Sequence, residues 1–154
     1  MFNFCLWIVG FTVVVFCLMS FSSNYFVSAD VGLKNGKLKP CKKAPNCVCS
    51  EFAISKTHYV ESITIQSGLT NAMQKAIATV LEMNGEVLIQ SEHYLYATFK
   101  TPIFRFKDDF ELRYSDQTFF VRSSSRIGYS DLGANLKRVN AFKAAFSEGD
   151  RLEE

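Results

Sequence analysis

The chain has 154 residues, of which 48% are hydrophobic, 14% aromatic and 21% charged, which fits one globular domain together with an unusually apolar segment. The net charge is +2, but five lysines lie in residues 1–43, whereas residues 44–154 carry 12 lysines and arginines against 14 acids. The body of the chain is therefore slightly acidic. This argues against nucleic acid as a partner, because binding it requires a basic stripe on the domain itself.

Residues 1–29 predict a signal peptide or a transmembrane anchor. The run 2–21 is almost wholly apolar and has the length that spans ~30 Å of hydrocarbon. Val27-Ser28-Ala29 forms a small-residue cleavage site, which favours a signal peptide. If the segment is retained instead, the membrane is a partner, and the lysines that follow it favour a cytoplasmic domain. We expect export to the periplasmic or extracytoplasmic side of a bacterial cell envelope, because the cysteines also suit an oxidising compartment.

Residues 30–50 predict a linker and a cysteine loop in which two prolines preclude regular helix or strand. Cys41 and Cys47 have a spacing that permits a small disulfide loop, which leaves Cys49 as a free or intermolecular thiol. A metal site would need a fourth ligand, and only His58 is near in sequence. We therefore expect a disulfide, with no metal and no cofactor.

Residues 51–150 predict an α+β domain. Alternating residues at 58–65 predict a first strand, and apolar residues at helical spacing from 69 to 81 predict a helix that stops at Asn84-Gly85. Four strands and a last helix are predicted at 86–91, 93–100, 108–114, 117–126 and 132–147. Short links between the strands favour an antiparallel sheet of about five strands with two helices packed on it.

The stretch 122–138 concentrates arginines, hydroxyls, an acid and an amide at a predicted strand–turn–helix junction. Arg122, Ser124 and Arg126 share one strand face, because side chains alternate with period two. Two interpretations stay open. The first is a structural network that pairs the arginines with acids, and the second is a binding site near the start of the last helix, for a small polar or anionic ligand or for a partner. The candidate ligand-binding residues are Asp108, Asp109, Arg122, Ser124, Arg126, Tyr129, Asp131, Asn135 and Arg138.

Catalysis is the alternative to binding. No nucleophile elbow, phosphate-binding loop or zinc-protease pattern is present in the sequence, and neither His58 nor His93 adjoins a nucleophile. A hydrolase-like enzyme would use Asp108 or Asp109, but consecutive strand residues point to opposite faces and rarely share a substrate. The sequence thus favours a binding protein over an enzyme, with a structural component of the envelope as a third possibility.

Three motifs also resemble a known family. They are Cys41-Lys-Lys-Ala-Pro-Asn-Cys47, the pair Tyr94-Leu-Tyr-Ala-Thr-Phe99 and Phe106-Lys-Asp-Asp109, and the stretch Val121–Asn135 with Arg138. Together they are similar to the bacterial and plant family catalogued as domain of unknown function 1499, over about residues 38–147. The resemblance implies no settled activity, so any function must come from the chemistry of the site.

Overall fold

The computed structural model describes residues 2–25, 30–53, 55–66, 68–101 and 105–148. The helices in these ranges are α1 (Phe2–Tyr25), α2 (Leu69–Glu82) and α3 (Ala134–Glu148). The strands are β1 (Leu33–Lys34), β2 (Lys37–Leu38), β3 (Cys47–Cys49), β4 (Ile63–Thr64), β5 (Glu86–Gln90), β6 (Tyr94–Lys100), β7 (Lys107–Ser115) and β8 (Thr118–Ser125).

Six of these strands form one antiparallel sheet in the order β3-β8-β7-β6-β5, and the sixth, β4, also pairs with β8. Strands β3 and β4 share one edge of β8, with Val48 opposite Ser123 and Ile63 opposite Phe119. The β1–β2 hairpin forms a separate two-stranded sheet. The predicted α+β class and antiparallel sheet are confirmed, although the main sheet has six strands where about five were expected.

The additional strand, β3, lies in the cysteine loop, so the prediction that this loop excludes regular structure is wrong at Cys47–Cys49. Both prolines, Pro40 and Pro45, precede the strand and remove no hydrogen-bond donor from it. The strand predicted at 58–65 is correspondingly shorter, since Ile63–Thr64 forms the strand and Tyr59 makes an isolated bridge to Cys49. Pairing with the edge of β8, which local sequence does not specify, decides both differences.

Local sequence does explain the turns that bound the central elements. Asp116 and Gln117 join β7 to β8 with φ angles of 50° and 54°, as a type I′ hairpin requires. Helix α2 is followed by Asn84 in the left-handed region, with φ of 61°. At Gly85, a Cβ atom would lie 2.7 Å from Cγ1 of Val80 and 2.8 Å from Cζ of Phe99, so only glycine fits between the helix and the sheet.

Side chains alternate along each strand, so the sheet has two faces. Helix α3 packs on β8 and α2 packs on β5, enclosing a core centred on Phe110, Leu112, Phe119, Val121, Val139 and Phe142. On the second face, residues 30–52 cover a smaller cluster that contains Leu38, Cys49, Tyr94 and Tyr96. Polar residues of the central strands are therefore buried whichever way they point.

The apolar segment predicted as a signal or anchor forms α1, whose Phe16 ring lies 6.4 Å, centroid to centroid, from the ring of Phe106. Among the described residues, no helix combines the length and the hydropathy that crossing a bilayer requires, and the prediction of a transmembrane anchor is not confirmed. The predicted cleavage site, Val27-Ser28-Ala29, lies outside the described residues.

Candidate functional site

The predicted site residues are divided between the two faces of the sheet. In β7, Asp108 points to the face covered by α3, whereas Asp109 points to the face covered by residues 30–52, as their partners show: Arg138 on α3 for Asp108, and Tyr96 for Asp109. The two adjacent carboxylates do not converge on a common point. Geometry therefore gives them no shared role as an acid and base pair.

On the second face, the Arg122 guanidinium is almost wholly buried and is enclosed by acids. Its Nη1 donates to Oε2 of Glu111 at 2.7 Å, and its Nη2 donates to Oδ2 of Asp30 at 3.2 Å. Oε1 of Glu111 accepts two further hydrogen bonds at 2.7 Å, from the Tyr94 hydroxyl and the Gly32 amide. The charge of Arg122 is thus balanced within the chain, and only its Nε lacks a partner among the described residues.

A second ion pair lies on the same face of the sheet and involves Arg126, the residue that follows the end of β8. Nε of Arg126 donates to Oδ1 of Asp109 at 2.9 Å, while Nη2 donates to the Tyr96 hydroxyl oxygen at 2.8 Å. That hydroxyl in turn donates to Oδ1 of Asp109 at 2.7 Å. Burial opposes the charge of Arg126, but Asp109 and Tyr96 outweigh it and raise the pKa of the guanidinium. Burial, with help from Asp109, also raises the pKa of Tyr96.

On the helix face, Arg138 completes a third pair. Its Nη2 donates to Oδ2 of Asp108 at 2.6 Å, and its Nη1 donates to Oδ1 of Asn135 at 2.6 Å and to Oγ of Ser123 at 3.0 Å. Asn135 is fully buried. The spacing of Asn135 and Arg138 on α3 therefore brings both side chains to the sheet, where they contact strand residues.

The start of α3 is capped by a residue of the chain. Oδ1 of Asp131 accepts from the Gly133 amide at 3.0 Å, and Oδ2 accepts from the Asn135 amide at 2.8 Å and from Nδ2 of Asn135 at 2.7 Å. This carboxylate satisfies amides that would otherwise attract an external anion. Tyr129, in the loop before the helix, is 77% exposed and takes no part in the network.

A cleft lies where the cysteine loop meets the end of β8; we call it the cysteine-loop cleft. Its volume is about 210 Å³, and the lining residues are Asp30, Lys42, Ala44, Asn46, Cys47, Ser124, Ser125, Arg126, Ile127 and Gly128. Lys42 is at the rim, with 74% of its side chain exposed and its Nζ 3.2 Å from Oδ2 of Asp30. Of the predicted site residues, Ser124 and Arg126 contribute to this cleft.

The Cys41–Cys47 disulfide is confirmed, with a Cα–Cα distance of 5.6 Å. It closes the segment that carries Lys42 and Asn46 to the cleft. Cys49 is a buried free thiol, and burial raises its pKa. No cluster of three or more His, Cys, Asp or Glu residues in the described ranges is arranged to hold a metal ion.

Several residues of the network and the cleft escaped sequence reasoning, among them Glu111, Lys42 and Asn46. The partner of Arg122 was predictable in principle, because a two-residue turn at Asp116-Gln117 places Glu111 directly opposite it. The cleft residues had no comparable signal. They reach β8 only because β3 pairs with its edge, which is a long-range contact.

Residues 37–146 match the family described as protein of unknown function (DUF1499). No curated protein matches the chain.

Proposed function

The chain belongs to the DUF1499 family, a family of unknown function, and we propose that it is an exported domain that binds a small ligand with an anionic group in the cysteine-loop cleft. The observation that carries this proposal is the position of Lys42. Its side chain is 74% exposed at the rim of a concave site, whereas the three arginines of the junction are largely buried and paired with acids of the chain. Exposed positive charge in a concave site attracts anions.

The ion pair between Lys42 and Asp30 does not oppose this role. Exposed ion pairs contribute only about 0–1 kcal/mol, and Asp30 has a second cationic partner in Arg122. An incoming carboxylate or phosphate oxygen can therefore replace Asp30 at Lys42 with little loss of stability.

The buried network supports binding indirectly, because it fixes the floor of the cleft. Arg126 is held by both Asp109 and Tyr96, and the Nδ2 of Asn46 donates to the Gly128 carbonyl at 2.6 Å. A site whose walls are held before the ligand arrives loses less conformational entropy on binding.

The cysteine loop supports export. Disulfides persist in oxidising compartments and are rare in the cytosol, and the Cys41–Cys47 bond closes one wall of the cleft. We therefore place the binding site on the extracytoplasmic side of a cell envelope.

Titration with acetate and with inorganic phosphate tests the proposal, with binding monitored through the NMR chemical shifts of the backbone amides. We expect shifts clustered at Lys42, Asn46 and Ser124, and Lys42→Gln should weaken binding about fivefold, which is the effect of losing one exposed ion pair. Lys43→Gln is the matched control, since Lys43 is also exposed but does not line the cleft. Equal weakening by both variants, or shifts scattered over the surface, would contradict a defined site.

A structural role in the envelope is the second candidate, and the mutual pairing of the three arginines favours it. It predicts that neither anion binds in the cleft. The hydrolase-like alternative draws no support from Asp108 or Asp109, because each is bound to an arginine on a different face of the sheet.

A further inference from the structure

A second cavity adjoins the cysteine-loop cleft, between α1 and the loop that leads into α3. Its volume is about 420 Å³, within the ~300–1,000 Å³ typical of small-molecule sites. Most of its wall is apolar, and the largest apolar side chains in that wall are Phe16, Met19, Phe106, Ile127 and Leu132. We call it the apolar cavity.

The cleft and the apolar cavity have a common wall, which consists of Ser125, Ile127 and Gly128. The two spaces differ in chemistry on either side of it: Lys42 and Arg126 line one, and the apolar side chains line the other. Gly128, with φ of 88°, places no side chain on this wall. At this point the wall between the two spaces is the Gly128 backbone, whose carbonyl accepts a hydrogen bond from Nδ2 of Asn46.

From this juxtaposition we propose that the ligand is a single-chain lipid with an anionic head, whose head lies in the cysteine-loop cleft and whose chain lies in the apolar cavity. The inference rests on the proposed function and names the ligand class for the same site. It applies to the chain that retains α1, because Phe16 and Met19 of α1 form part of the apolar cavity. A small polar anion would not fill the apolar cavity, and an uncharged hydrocarbon would form no ion pair with Lys42.

The polar groups in the wall of the apolar cavity do not oppose an apolar chain. The Asp108 carboxylate is paired with Arg138. The Asp131 carboxylate accepts hydrogen bonds from the backbone amides of Gly133 and Asn135. Leu132 is 90% exposed in the loop beside the cavity. Covering such a side chain with a lipid chain removes apolar surface from water, which favours binding.

Calorimetric titration of the full chain with decanoate, decanol and acetate tests the inference. Decanoate combines head and chain, whereas the other two probes each lack one part. We expect decanoate to bind about tenfold or more tightly than acetate, since burial of its methylene groups adds to the interaction of the head. Decanoate should also bind more tightly than decanol, which has no charge for Lys42.

Two variants of α3 test whether the hydrocarbon chain of the lipid lies in the apolar cavity. Ala134 lines the apolar cavity, so Ala134→Phe should fill it and weaken decanoate binding about tenfold while acetate binding is retained. Retained acetate binding also shows that the variant is folded. Ala141→Phe makes the same change at an exposed position of the same helix outside the cavity and should leave both affinities unchanged.

The outcomes separate the two proposals. If acetate binds and Lys42→Gln weakens it, but decanoate binds no more tightly than acetate, the lipid inference is overturned and the anion site stands. If decanol binds as tightly as decanoate, or if Ala134→Phe leaves decanoate binding unchanged, the lipid does not lie across the two spaces. If neither acetate nor decanoate binds, both proposals fail.

Discussion

At the scale of single residues, the charges of the junction are organised in pairs. Arg122, Arg126 and Arg138 each donate to one main carboxylate, at distances between 2.6 and 2.9 Å. Buried ion pairs of this kind specify an arrangement of side chains more than they stabilise it, because desolvation offsets much of the attraction. Their clearest consequence appears when one partner is removed.

We predict that Arg122→Gln destabilises the protein by about 3–5 kcal/mol, because it leaves the buried carboxylate of Glu111 without its counter-charge. Chemical denaturation measures this as a fall in the free energy of unfolding. Lys137→Gln, an exposed change on α3, should have almost no effect.

The double variant Arg122→Gln/Glu111→Gln should recover a large part of the loss, since the stranded charge is then absent. If the double variant is as unstable as the sum of the single variants, Arg122 and Glu111 do not act as a pair. A loss below about 1 kcal/mol for Arg122→Gln would mean that the guanidinium is effectively solvated.

At the scale of secondary-structure elements, the junction depends on the capped start of α3. Leu132 and Gly133 both have positive φ angles, of 52° and 80°, so the chain turns sharply before the helix begins at Ala134. Asp131 holds this turn and at the same time accepts from the side chain of Asn135. The cap therefore joins the helix to the polar network of the sheet.

Asp131→Ala should lower the free energy of unfolding by about 1–2 kcal/mol, because it removes the cap and one partner of a buried amide. Thermal unfolding measures the effect as a lower Tm. Ser130→Ala is the matched control, because the Ser130 hydroxyl accepts a long, exposed hydrogen bond of 3.3 Å from the Leu132 amide. Equal losses in the two variants would contradict the assignment of Asp131 as the cap.

At the scale of the whole molecule, the sheet is a layer covered on both sides, by α2 and α3 on one face and by residues 30–52 on the other. The second covering is responsible for burying Tyr94 and Tyr96. Burial, followed by the charge of Glu111, raises the pKa of Tyr94 above its ordinary value. Stability at alkaline pH therefore reports whether this covering is in place.

We predict that the free energy of unfolding falls as the pH rises above about 10, where tyrosines ionise in the unfolded chain but Tyr94 and Tyr96 stay protonated in the folded state. The unfolded state then binds fewer protons than the folded state, which gives a negative slope with pH. Tyr94→Phe should reduce that slope, whereas Tyr129→Phe, at an exposed position, should not. Denaturation at a series of pH values measures it, and a slope unchanged by Tyr94→Phe would contradict the prediction.

The sequence by itself determined the features that depend on neighbouring residues. The bounds of helix α2 and of strands β5 to β8 were predictable to within about two residues, because propensity and alternation act locally. The Cys41–Cys47 pair was predictable for the same reason, since it joins residues a few positions apart.

Only the tertiary structure decided which residues line the cysteine-loop cleft. Strand β3 forms because the edge of β8 is available to it, and this contact brings Asn46 and Lys42 to Arg126 across about eighty residues of chain. Such contacts depend on the ordering of the whole sheet, and a local pattern of residue types does not encode them.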